Sequence, residues 1–170
     1  MSELEKVDAP ELLARFDVTA KVVDVHGESF SIQHPRDAEA LIDESAFKHD
    51  ERLPYWADIW PASIALAMAV RPLDGTGRTL LELGCGSGLV TAVALRAGFD
   101  VTATDYYEDA LSFTRLNARL NAAREPRTMI LDWRALPTVI EAFDVVVGSD
   151  VLYERAHGPM VARAIATTLR

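Results

Sequence analysis

Only one cysteine, Cys85, stands among the 170 residues. An internal disulfide is therefore excluded, and no cysteine-based metal cluster can form. Histidine is scarce as well. His26, His34, His49 and His157 match no ligand spacing such as H-E-x-x-H, so no metal site is expected and all four are read as surface or loop residues. Positive charge is short: 17 lysines and arginines face 26 acids, for a formal charge of −9. Nucleic-acid binders are more often basic, so neither DNA nor RNA is expected as a partner. Long hydrophobic runs are missing too. Ala62 to Val70 is apolar but far shorter than the roughly 20 residues of a membrane span. The charged start, Met1-Ser2-Glu3-Leu4-Glu5-Lys6, leads into no signal-peptide core. The expectation is a cytoplasmic chain with no membrane association.

What is present is an ordinary globular composition, 49% hydrophobic, in a length suited to one sizeable core. Its most informative stretch is Glu82-Leu83-Gly84-Cys85-Gly86-Ser87-Gly88. The apolar run Thr79-Leu80-Leu81 precedes it and Leu89 to Leu95 follows, so a buried strand, a glycine turn and a helix are expected. Glycine lets a backbone turn tightly and approach a ligand closely. A helix N-terminus behind the turn aims unpaired N–H groups at the same place. The dinucleotide fingerprint G-x-G-x-x-G would need a third glycine at position 89, which is Leu89. A P-loop would need a following Gly-Lys-Ser/Thr, which is absent.

Residues 1–55 read as an N-terminal accessory region and 56–170 as a ligand-binding core. Leu4, Val7, Leu12, Leu13 and Phe16 suggest a short amphipathic helix, interrupted or restarted at Pro10. Strands are expected at 20–25 and 30–33 around a turn at His26-Gly27-Glu28. Ala38, Leu41 and Ile42 at helical spacing indicate another short helix within 36–51. From Pro61 onward, helix and strand alternate. Helices are expected over 61–70, 88–97 and 108–121, and from about Pro159. The apolar positions assigned inward are Leu111, Phe113, Leu116 and Leu120 on the third of these, and Val161, Ala164, Ile165, Thr168 and Leu169 on the last. Strands are expected at 79–83, 100–104, 128–131 and 143–148, the last buried on both faces. This alternation predicts an α/β protein with a Rossmann-like, doubly wound parallel sheet.

Ligands in such sheets sit at the carboxyl ends of the strands. Asp105 ends the second core strand, about 20 residues past the turn, where an acid can bond ribose hydroxyls. Asp132-Trp133 follows the third: a carboxylate to accept from an adenine amino group, and an indole to stack on the ring. Ser149-Asp150-Val151-Leu152-Tyr153 follows the fourth. Ahead of the first helix, Tyr55-Trp56-Ala57-Asp58-Ile59-Trp60 crowds three aromatic rings into six residues. Aromatic faces suit a sulfonium or ammonium cation.

Taken with Trp60-Pro61, Asp105, Asp132-Trp133 and Asp150-x-x-Tyr153, the acid-led G-x-G-x-G turn resembles class I S-adenosylmethionine-dependent methyltransferases. The order of these elements over residues 53–160 is similar to the methyltransferase-like protein lysine methyltransferases of the seven-strand class. The resemblance implies S-adenosylmethionine as cofactor. It implies a site lined by Trp60, Glu82, Gly84, Cys85, Gly86, Gly88, Asp105, Asp132, Trp133 and Ser149, with Asp150 and Tyr153 catalytic at the acceptor. The implied reaction is methylation of a protein lysine. Two alternatives stand beside it: a small-molecule, nicotinamide-like acceptor, and a cofactor-binding module without catalysis. The class has seven strands, whereas this sequence carries four of them. A fragment, a sheet completed between chains through the open edge of the fourth strand, and a degenerate remnant are the three expectations this raises.

Overall fold

The computed structural model describes residues 9–38, 41 and 54–170. At its centre lies β3 (Thr79–Leu83), in which Leu80 through Leu83 are buried. A strand covered on both faces must be apolar at consecutive positions; Glu82 is the exception here. β4 (Asp100–Asp105) runs parallel beside β3, with Val101 opposite Leu80. β5 (Arg127–Ile130) runs parallel to β4, and β6 (Val145–Val147) is parallel to the other side of β3. The sheet order is β5-β4-β3-β6. The chain steps outward from β3 to β5 and then returns across β3 to β6. Such a reversal opens a crevice at the carboxyl ends of the strands.

The α/β alternation expected from the sequence is present. α2 (Pro61–Val70) begins with proline at a position where its missing N–H costs nothing. α3 (Leu89–Arg96) is buried from Leu89 through Leu95, an apolar helix held inside the fold. α4 (Glu108–Ala122) carries Glu108 and Asp109 in its first turn, as the helix dipole favours. α5 (His157–Thr168) follows β6 and starts two residues before the Pro159 of the sequence reading. Phe30, Phe99 and Phe113 are fully buried; each contributes roughly 1.5–3 kcal/mol through lost apolar exposure.

Near the N-terminus, α1 (Pro10–Arg15) buries Leu12, while Leu13 is exposed. β1 (Val18–Val25) and β2 (Glu28–Pro35) form a separate antiparallel pair. Both are longer than the sequence suggested, because pairing continues past the apolar positions on either side. His26 and Gly27 connect them with φ of 54° and 82°, the two positive angles of a tight type I′ hairpin turn. Val23, Val25, Phe30 and Ile32 share one core with Leu80, Val90 and Val101. Glu28 pairs with Arg71, just past α2, and with Arg96 of α3. Leu4, Val7 and most of the helix expected over 36–51 lie outside the described residues.

Three expectations are corrected. β6 is three residues long and half-buried rather than six long and covered on both faces. Among the described residues its neighbour in the sheet is β3. Its lead-in is held differently: Phe143 forms a parallel bridge with Leu169, and Asp144 accepts from Thr79 N–H at 2.8 Å and from Thr79 Oγ1 at 2.9 Å. On α4, Leu120 is exposed, since the face turned inward runs through Phe113, Asn117 and Asn121. One residue along a helix is a rotation of about 100°. The same offset leaves Ile165 and Leu169 exposed while Val161, Ala164 and Thr168 are buried.

Candidate functional site

The turn after β3 takes its shape from three glycines. Gly84, Gly86 and Gly88 have φ of 68°, 54° and 83°, a region L side chains avoid. Space restricts all three further. A Cβ on Gly88 would stand 2.7 Å from the Thr114 Cα, one on Gly84 3.1 Å from the Val151 Cγ1, and one on Gly86 3.2 Å from the Trp56 carbonyl oxygen.

Neighbouring groups then hold the turn. Gly86 N–H donates to Asp105 Oδ2 at 3.0 Å, and Tyr107 N–H donates to Asp105 Oδ1 at 3.1 Å. Thr114 Oγ1 donates to the Gly86 carbonyl at 3.0 Å, and the same hydroxyl lies 3.2 Å from Cys85 Sγ. Ser87 Oγ donates to the Trp56 carbonyl at 3.1 Å. Trp56 itself is a core residue, its ring packed edge-on to Phe16 and tilted against Phe113, and its backbone carbonyl is what meets the turn.

A cavity of about 730 Å³ opens above the turn at the carboxyl ends of the four parallel strands. Trp60, Glu82, Gly84, Cys85, Gly86, Gly88, Asp105, Asp132, Trp133, Ser149, Asp150 and Tyr153 all line it. Each named position from the sequence is thus brought to one space, at the size typical of small-molecule sites. Their settings differ. Glu82 is buried and accepts from Thr91 Oγ1 on α3; burial pushes its carboxyl up to about 8. Burial likewise raises Asp105 and the Cys85 thiol. Asp132 is gripped by Arg134, whose Nε and Nη2 lie 3.0 Å and 2.7 Å from its carboxylate. Asp150 is strained, with φ of 53°.

The lining also includes residues that were not singled out as site residues, Tyr55, Tyr106, Arg134 and His157 among them. His157 corrects the reading of all four histidines as surface or loop positions. Its side chain is mostly enclosed and its ring meets Tyr153 at 4.7 Å and Trp133 at 5.5 Å. Tyr153 lies in the loop before α5 and His157 is the first residue of that helix, so no helical spacing joins them and the sequence carries no signal of this contact. With Tyr55 against Tyr153 at 5.2 Å and against Trp60 at 5.8 Å, the rings form a continuous rim: Trp60, Tyr55, Tyr153, His157, Trp133.

Charge restricts what the cavity can accept. Among the described residues, Asp58, Glu82, Asp105, Asp132, Asp150 and Glu154 line it, against the guanidinium of Arg134. A pyrophosphate would meet carboxylates where it needs cations. A cationic or neutral ligand with aromatic and hydroxyl groups matches the lining.

A glycine turn after the first core strand, acids ending the next two, and a cavity at the switch point define the Rossmann-like fold of class I methyltransferases. Solved structures share it. The T. thermophilus 16S rRNA N2 G1207 methyltransferase, in complex with AdoMet and guanosine, superposes with a TM-score of 0.62 at 19% identity, covering 90% of this chain and 39% of that one. The chain belongs to the lysine methyltransferase family, whose sequence model matches residues 46–169. Among curated relatives, the protein N-lysine methyltransferase METTL21A of Danio rerio is 32% identical over 123 residues, 68% of this chain and 56% of its own length. The histidine protein methyltransferase 1 homolog of Dictyostelium discoideum is 31% identical over 102 residues, 56% of this chain and 33% of its own length. The chain thus spans about half or less of the length of these relatives.

Proposed function

We propose that this chain binds S-adenosylmethionine in the cavity above the glycine turn and methylates a lysine of a protein substrate. The observation that carries the reading is the five-ring aromatic rim over a cavity floored by Gly84, Gly86 and Gly88. The fit to the cofactor is supported by the glycine turn that lines the cavity and by its acid-rich lining. When bound, S-adenosylmethionine supplies a methyl group already activated by its sulfonium.

Trp60, Gly84, Gly86, Asp105, Asp132, Trp133 and Ser149 are the residues that would hold the cofactor. Asp105 has both oxygens on backbone N–H groups yet keeps lone pairs for hydroxyl donors, since a carboxylate accepts about four bonds. Glu82, uncharged at neutral pH, anchors the turn to α3 through Thr91 rather than acting as a base. Asp150 and Tyr153 would border the acceptor. The rim strips water from a lysine entering between Trp60 and Tyr153, and desolvation lowers an amine's pKa. Its proton leaves to solvent, and Asp150 holds the neutral amine in line. Positioning of this kind is most of what the transfer requires.

An acceptor on a protein is supported by the exposure of the rim: Tyr55 is 40% exposed, Trp60 39% and Tyr153 58%. Such a mouth admits a side chain presented from a larger surface. A cytoplasmic location belongs to the same proposal. The test is incubation with methyl-labelled S-adenosylmethionine and a lysate separated into protein and metabolite fractions. Label in protein, recovered as methyllysine after hydrolysis, is the expected result. Methylhistidine would move the acceptor to another residue, and label in metabolites alone would move it to a small molecule. Cofactor binding by calorimetry without any transfer would leave a binding module.

A further inference from the structure

Asn117 and Asn121 sit one helical turn apart on α4 and face the edge of β2. Asn117 Oδ1 accepts from Gln33 N–H at 2.8 Å, and its Nδ2 donates to the Gln33 carbonyl at 2.7 Å. Asn121 repeats this at Ser31: Oδ1 accepts from the N–H at 2.9 Å and Nδ2 donates to the carbonyl at 3.0 Å. Four helical residues advance about 6 Å and two strand residues about 6.6 Å, so the two carboxamides match alternate strand residues. Each stands where the backbone of a further strand would, and each satisfies the N–H and C=O of one edge residue.

The two asparagines then diverge. The second N–H of Asn121 goes to the Asn117 carbonyl at 2.8 Å. That of Asn117 goes to the Ser87 carbonyl at 2.7 Å, inside the glycine turn. Asn117 is fully buried, so its side chain touches the hairpin and the turn and nothing else can replace it there. The peptide unit it holds is the one between Ser87 and Gly88. Its opposite edge is pinned as well, because Gly88 N–H donates to the Cys85 carbonyl at 2.9 Å. With Gly88 on its C-terminal side, this peptide has lowered intrinsic resistance to flipping. Without Asn117 one of its two restraints is gone.

We propose that Asn117 is a positioning residue for the cofactor turn and the link by which hairpin docking and ligand binding reinforce each other. The second half rests on the reading of the turn as an S-adenosylmethionine site. Coupling of this kind is reciprocal: a hairpin held by Asn117 steadies the turn, and a ligand on the turn steadies the hairpin.

Asn121→Ala is the control, since it breaks the same kind of clamp on the hairpin without touching Ser87. In the ligand-free protein, N117A should raise amide hydrogen exchange across 86–89 by about tenfold, the size of one lost buried hydrogen bond, while N121A leaves it unchanged. Equal effects of the two variants on the turn, or none, would overturn the proposal. This readout needs no cofactor, so it remains decisive if S-adenosylmethionine does not bind the wild type and the functional reading fails. By calorimetry, N117A should bind S-adenosylhomocysteine about tenfold more weakly and N121A like the wild type; equal losses would overturn the link. Saturating ligand should also slow exchange at Ser31 in the wild type and not in N117A, a difference that mere loss of stability does not produce. Should N117A not fold, N117S keeps a small polar group in the site and carries the same expectations.

Discussion

Asp105 and Gly86 are joined across two strands: the acid that ends β4 accepts the N–H of the middle glycine of the turn after β3, at 3.0 Å. The expected ribose partner is therefore also a structural tie. Its other oxygen takes Tyr107 N–H, so one side chain shapes the turn and starts the segment leading into α4.

Replacing Asp105 by alanine should separate binding from stability. A hydrogen bond to a charged group is worth about 1.5–3 kcal/mol, which predicts a cofactor affinity about tenfold to a hundredfold weaker. Burial raises the Asp105 carboxyl, so removing it also relieves a desolvation cost, and the melting temperature should change little. Calorimetry beside a thermal melt checks this; full affinity in D105A would contradict it.

Two glycines with similar backbone angles should respond differently to alanine. Gly27 has φ of 82° and open space around it; Gly88 has φ of 83° and the Thr114 backbone in the way. G27A should cost about 1–2 kcal/mol, the strain of a left-handed L residue. G88A adds a backbone collision of about 1–3 kcal/mol. Urea unfolding of both variants measures the difference, and equal losses would mean that α4 shifts freely.

Glu82 makes stability depend on pH. Its carboxyl lies near 8 in the fold against an ordinary 4.5, so between those values the folded state holds a proton that the unfolded chain has released. Stability therefore falls as pH rises through that window, by at most about 1.4 kcal/mol per unit, and Asp105 adds in the same direction. His34, held neutral by burial, works oppositely, losing stability as pH falls below 6.5. Between pH 6.5 and 8, unfolding free energies should decline for the wild type and decline less for Glu82→Gln. Parallel slopes would refute the assignment.

Asp150 offers a test of charge alone. Asparagine tolerates its positive φ as well as aspartate does, so Asp150→Asn keeps the backbone and removes the carboxylate. Transfer to a protein lysine should fall by about a hundredfold, the effect of losing one aligned electrostatic group, with cofactor affinity unchanged. A mutant as fast as wild type would remove Asp150 from the acceptor site.

Much of this molecule is local in origin and was readable as such. The glycine turn, the acid two residues before it and the apolar runs of β3 and α3 each announce themselves within a few residues. The positions at the strand ends follow from one topological rule, and they line one cavity. Other features were not readable. The short length of β6 is one, since Phe143 and Asp144 are held by Leu169 and Thr79, partners distant in sequence. His157 enters the cavity because Tyr153 and Trp133 lie on either side, and Trp133 is 24 positions away.

Sequence alone determined the fold class, the turn and the chemistry available at the strand ends, because periodicity and glycine act over short distances along the chain. Tertiary structure decided how the turn is held. Asn117 reads in sequence as a polar break in a helical stripe, yet it meets Gln33 and Ser87, partners 84 and 30 positions away. A carboxamide is costly to bury unpaired, so only the arrival of both partners makes its burial favourable, and that arrival depends on the packing of β2, α3 and α4 together.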